Sequence, residues 1–122
     1  MIGKYFSKVK AALIVSPIIK SYRVKREFKK ELEGYILISA VLKNDDNLEI
    51  FIYLSLNGNI KTDKYRFHWQ TKRGKLIKRW DNASHHKELE TFPHHIHQNG
   101  NIYPHQPIGI INLLKYLEKE IK

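Results

Sequence analysis

The sequence predicts an α+β fold: an antiparallel five-stranded β-meander with N- and C-terminal amphipathic helices packed on one face. Three observations carry this reading. Apolar residues recur at helical spacing at both ends of the chain. Between residues 22 and 80 they alternate with a period of two, and short turn signals separate the alternating runs. The 122 residues, 1–122, read as a single domain long enough for one modest core.

Each element follows from its own pattern. Ile2, Tyr5, Phe6, Val9 and Leu13 share one side of a helix over 2–14, with lysines opposite. Ser16-Pro17 ends it, because the residue before a proline is pushed out of the helical region. Tyr22, Val24 and Phe28 alternate with charged residues, which suits a half-exposed edge strand. YILISAVL (35–42) is apolar on both faces and reads as a central strand, and NDDN (44–47) as a turn. LEIFIYLSL (48–56) is the next strand, and NGN (57–59) is a hairpin signal because Asn and Gly tolerate positive φ. KYRFHWQT (64–71) alternates, KRGK turns, and LIKRW (76–80) returns. After Asp81 the expectation is a histidine-rich loop, irregular as far as Pro107. PIGIINLLKYLEKEIK then forms the last helix, with Ile111, Leu114, Leu117 and Ile121 on its apolar side.

Register turns this order into geometry. If Arg73-Gly74 form a two-residue turn, Arg66 faces Asp81, Phe67 faces Trp80, His68 faces Arg79 and Trp69 faces Lys78. Phe67, Trp69 and Trp80 then point into the core beneath the helices. Arg66, His68, Arg79 and Asp81 stand together on the other face. A three-residue turn would put Phe67 beside Arg79 and mix the two faces.

Composition narrows the function. With 42% hydrophobic and 28% charged residues the chain is globular, and the absence of cysteine excludes disulfides and thiolate metal sites. No apolar run reaches membrane-spanning length and the N-terminus lacks a signal-peptide core, so the reading is cytoplasmic with no membrane partner. Twenty-two Lys and Arg oppose 12 Asp and Glu, a net charge of +10. Residues 1–30 hold nine basic residues and one acid, and residues 61–80 hold eight and one. So segregated an excess implies an electropositive face, whose commonest partner is a polyphosphate such as nucleic acid, with an acidic protein as the alternative.

Five of the seven histidines lie between residues 85 and 97. Cleaving RNA without metal needs a base for the 2′-OH, an acid for the leaving oxygen and fixed positive charge at the phosphate. Arg66 and Arg79 would clamp the phosphate, and Asp81 would orient a neighbour. His68, with one or two of His85, His86, His94, His95 and His97, would move protons. Pro93 would stiffen this loop over the polar face and Phe92 would anchor it in the core. A small basic metal-independent ribonuclease with no cofactor is therefore expected. His95-x-His97 is the weaker metal alternative, since Glu88 and Glu90 stand at no recognisable ligand spacing. The other reading is a non-catalytic protein whose basic face and histidines form an interface.

The run KYRFHWQTKRGKLIKRWDNASHHKELETFPHHIH (64–97) resembles the core signature of the TumE family of toxin–antitoxin toxins, in which YRFHWQ, RWDNAPHH and FPHHxH follow one another. The flanking helices agree in style, and the departure is Ser84 where the family commonly has proline. This resemblance implies a small toxin with a cognate helix-turn-helix antitoxin. It implies a system and not a mechanism, so ribonuclease action is inferred from the cluster of Arg, His and Asp.

Overall fold

The structure, a computed structural model, describes residues 1–84 and 86–121. Helix α1 (Ile2–Val15) leads into strands β1 (Ile19–Lys29), β2 (Glu33–Leu42), β3 (Asn47–Asn57), β4 (Asn59–Gln70) and β5 (Leu76–Asp81). Two further strands, β6 (His95–Gln98) and β7 (Asn101–Pro104), precede helix α2 (Ile110–Glu120). All seven strands form one antiparallel sheet in sequence order, with β1 and β7 at its edges.

The sheet therefore has seven strands where five were expected, and the histidine-rich segment ends in a hairpin. Its turn is Asn99-Gly100, both at positive φ (52° and 74°), the two-residue turn that matches strand twist. The same dipeptide signalled the hairpin at 57–59. Four-residue strands reading HIHQ and NIYP carry too little apolar alternation to declare themselves.

Alternation sorts the sheet into two faces. Ile36, Ile38, Ala40 and Leu42 of β2 are buried with Leu48, Ile50, Ile52 and Leu54 of β3. Tyr65, Phe67, Trp69, Trp80 and Ile96 continue this face across β4, β5 and β6. Both helices cover it, through Ile2, Phe6, Val9 and Leu13 of α1 and Leu113, Leu114 and Leu117 of α2, in a single core. The tryptophans are core residues: Trp80 meets Tyr116 of α2 edge-on, and the Trp69 indole N–H donates to Asp46 at 2.9 Å. Helix α2 starts at Ile110, three residues later than Pro107, and its buried side includes Ile110 and Leu113 while Ile111 is exposed. The other face of β2 (Tyr35, Leu37, Ser39, Val41) is only half-buried, so this strand is covered on one side and not on both.

The β4–β5 turn departs instructively from expectation. It has three residues: Thr71 N–H donates to Lys75 O and Gly74 N–H to Thr71 O, with Gly74 at φ +93°. Gln70 accordingly pairs with Leu76, but Trp69 pairs with Lys78, so Ile77 is an extra, bulged residue. The bulge cancels the slip. Arg66 faces Asp81, Phe67 faces Trp80 and His68 faces Arg79, as the alternation required.

One charged contact pins helix to sheet. Lys10 of α1 lies 2.6 Å from Glu27 of β1, whose other oxygen meets Lys29 at 3.1 Å. The Lys10 hydrogen bond holds the Glu27 carboxyl below its ordinary 4.5, against the opposing effect of burial. A depressed folded pKa gives stability above the unfolded value that disappears as pH falls through the folded one. Glu27→Gln is therefore expected to cost about 1 kcal/mol at neutral pH and much less at a pH acid enough to protonate the folded carboxyl. Thermal unfolding at the two pH values checks this; an equal loss at both would assign the effect to shape and not charge.

Candidate functional site

On the face away from the helices, strand pairing sets polar side chains in two rows. One runs Glu49–His68–Arg79–His97 across β3, β4, β5 and β6, and the next runs Phe51–Arg66–Asp81–His95. Neighbouring strands lie about 4.8 Å apart, so a row holds its side chains within reach of one another. Arg23, Arg26 and Lys64 share this face by register, which adds part of the segregated positive charge to that of Arg66 and Arg79.

Asp81 is the hub. It is only 6% exposed, and His95 only 1%. His95 Nε2 lies 2.8 Å from Asp81 Oδ1, to which Ala83 N–H also donates at 3.0 Å. His97 Nε2 lies 3.3 Å from Oδ2 and 3.1 Å from His95 Nε2. The other ring nitrogen of His95, Nδ1, is 2.8 Å from the Pro93 carbonyl. Arg79 Nε approaches Oδ2 to 3.6 Å, too far for a hydrogen bond, and this buried N–H has no hydrogen-bond partner among the described residues. Burial holds His97 below the usual histidine range, opposed by the charge of Asp81.

The other arginine is held differently. Arg66 faces Asp81 in register, yet its guanidinium turns to Glu49 at 3.5 Å and lies over the Phe51 ring. His68 Nε2 is 3.0 Å from the Gln70 amide oxygen. Two clefts meet at this point, of about 580 Å³ and 510 Å³, and Arg66 and Arg79 line both. His68 lines the first, Asp81 and His97 the second.

The histidines do not act as one group. His95 and His97 join Asp81, and the His86 ring stands 5.4 Å from that of His95. His94 points the other way: its Nδ1 is 2.9 Å from the Tyr65 hydroxyl, its ring stacks on Tyr65, and it lines a pocket beside α2. Burial, then the nearby His95, lowers the His94 pKa. His85 lies outside the described residues. After Asp81 the chain returns as β6 beside β5, with the His86 ring near those of His95 and His97, and Phe92 is 39% exposed and anchors nothing in the core. Tyr65 and Asn82 hold the segment instead, the Asn82 side chain bridging Tyr65 N–H and Asp63 O. Glu49 and Phe51 are the site residues that sequence reasoning missed. Pairing across the 57–59 hairpin would have found them had the bulge after Tyr53 been allowed for.

With this geometry in hand, comparison with known proteins is specific. The family model described as Toxin TumE matches residues 9–122. The chain belongs to the TumE toxin family. A toxin family implies an antitoxin partner for this TumE chain. No curated protein matches it, and no solved structure does. Among the described residues no helix is long and apolar enough to cross a membrane.

The Tyr65–His94 contact makes a local prediction. Burial pushes the Tyr65 hydroxyl up to about 12, so it stays protonated and can donate to His94 at neutral pH. Tyr65→Phe should cost about 1 kcal/mol in urea unfolding and speed amide exchange over residues 91–96. Unchanged exchange there would mean that other contacts hold the segment.

Proposed function

We propose that this TumE toxin cleaves RNA on the outer face of its sheet, around Arg79. One observation carries the reading: Arg79 has His68 on one side and the Asp81–His95–His97 cluster on the other, with Arg66 one row away. Phosphodiester cleavage asks for that distribution, fixed positive charge at the phosphate with proton-handling groups on opposite flanks. Arg66 and Arg79 hold the phosphate through planar forks that stay charged at any working pH. His68 handles one proton and the cluster the other. Further lysines and arginines on this face guide the polyanion in. RNA is the substrate, the cytoplasm is where it is met, and a helix-turn-helix antitoxin is the partner that restrains the toxin.

A face that merely bound RNA, or merely docked an antitoxin, would make its cations roughly interchangeable. Cleavage predicts a division. Arg66→Ala or Arg79→Ala should weaken RNA binding, flatten its salt dependence by about one phosphate contact, and lower turnover. His68→Ala should leave affinity nearly intact and lower turnover roughly a hundredfold. Binding by fluorescence anisotropy and single-turnover cleavage of a labelled RNA measure the two separately. Small, equal losses at all three positions, with no separation of binding from turnover, would leave this face a binding surface only.

A further inference from the structure

The cluster at the β5–β6 junction has a geometry that ion pairing does not account for. Ligand-type atoms of Asp81, His95 and His97 all lie within 4.8 Å of one another. Their closest separations are 2.8 Å from His95 to Asp81, 3.1 Å from His95 to His97 and 3.3 Å from His97 to Asp81. Nitrogen and oxygen ligands bound about 2.0–2.1 Å from one ion stand about 2.9–3.4 Å apart, for angles between right and tetrahedral. The two Asp81 separations are made by different oxygens, Oδ1 to His95 and Oδ2 to His97, so the carboxylate turns both oxygens to the imidazoles at about the spacing of neighbouring ligands in one coordination shell.

Protons alone fit it less well. The Pro93 carbonyl accepts from His95 Nδ1, so in the neutral ring the lone pair of Nε2 is the one aimed at Asp81 and His97. This is how metal-bound imidazoles use their second nitrogen. If both Nε2 atoms instead carried protons for Asp81, two N–H donors would meet head to head at 3.1 Å. A cation replaces both protons and turns that contact into two lone pairs on one centre.

We propose that Asp81, His95 and His97 bind one zinc-type divalent cation, with an open coordination position facing the cleft beside Arg79. The two imidazoles disfavour magnesium and calcium, which prefer all-oxygen shells. Burial says which side is open: the side chains are 8%, 0% and 27% exposed for Asp81, His95 and His97, and Asp81 and His97 line the cleft. Three protein ligands with a free position is the arrangement of a catalytic and not a structural zinc. Arg79, 3.6 Å from Asp81, lowers the affinity for a cation alone and favours an anion in the free position, such as a phosphodiester oxygen. The sequence reading expects no metal and holds His95-x-His97 as the weaker alternative; the proposed site takes up that alternative and adds a third ligand from β5. The pairing of Asp81 with His95 across a long connection supplies it, and no sequence spacing encodes that pairing.

This site rests on the cluster's geometry and stands without the ribonuclease reading. The full-length chain, stripped with chelator and dialysed, should bind one Zn²⁺ per chain in calorimetric titration, and Co²⁺ should give a d–d spectrum of a nitrogen–oxygen site. Asp81→Ala and His97→Ala should each weaken Zn²⁺ binding about a hundredfold or more. His105→Ala, a histidine outside the cluster, should change nothing. Zinc should raise the unfolding temperature of the wild type and not of His97→Ala, whose partly exposed side chain makes folding safe where His95→Ala is not. Equal zinc affinity in Asp81→Ala, His97→Ala and wild type, or several ions per chain lost evenly with each histidine, would overturn the site and leave an ion-paired cluster. Zinc bound as described with no RNA cut would keep the site and remove the ribonuclease reading. Cleavage by a protein that binds no zinc would do the reverse.

Discussion

A carboxylate and an imidazole buried together on the outer face of a sheet form the constraint on which this site depends. An isolated buried charge costs several kcal/mol, and here the Asp81 carboxylate accepts the Ala83 N–H on one oxygen and has the His95 and His97 imidazoles against its two oxygens. Ala83 follows two residues after Asp81, while His95 and His97 sit on β6, which the chain reaches only by crossing residues 82–94. The pairing of β5 with β6, the fifth in the sheet, therefore serves the same requirement. Beyond the cluster, β6 is held against β5 by the short backbone ladder and by Ile96 on the core face.

A second constraint acts through the other face. Phe67 and Trp80 are each 1% exposed and fill the space under the helices. A one-residue slip between β4 and β5 would put a tryptophan on the polar face and a guanidinium in the core. The three-residue turn creates such a slip, and the bulge at Ile77 removes it before Trp69. Core packing thus sets the polar rows: His68 faces Arg79, and Arg66 faces Asp81, because Phe67 must face Trp80.

Which parts could be read from sequence follows from range. Helices α1 and α2 and the first five strands are written in local periodicity. Pairing across β4–β5 could be read because a short turn joins the strands and the hydrophobic set permits one register. The turn length is not legible in the same way, since the bulge at Ile77 leaves no mark in a pattern of alternating residues. β6 and β7 were hidden for the opposite reason: they are short, polar and stabilised by contacts to residues far away in sequence. The division of the histidines was equally hidden. Adjacent residues on a strand point to opposite faces, so His94 and His95 had to part. Only the pairing with β5 decides that His95 goes to Asp81 and His94 to Tyr65.

The arginines complete the physical picture. Arg66 stands 3.5 Å from Glu49 and Arg79 stands 3.6 Å from Asp81, both outside hydrogen-bonding range. Each acid is near enough to place its guanidinium and too far to saturate it. The carboxylates have other claims on them: Lys25 also approaches Glu49, and two imidazoles take Asp81. Two fixed cations are thereby held over adjoining clefts with donor capacity to spare, where a phosphate can accept two parallel hydrogen bonds from a fork that a distant carboxylate leaves incomplete. Surface ion pairs of ordinary strength would have closed these forks. Their looseness, next to a buried Asp81 already met by two imidazoles and a backbone N–H, leaves both guanidiniums at the adjoining clefts with their acids beyond hydrogen-bond distance.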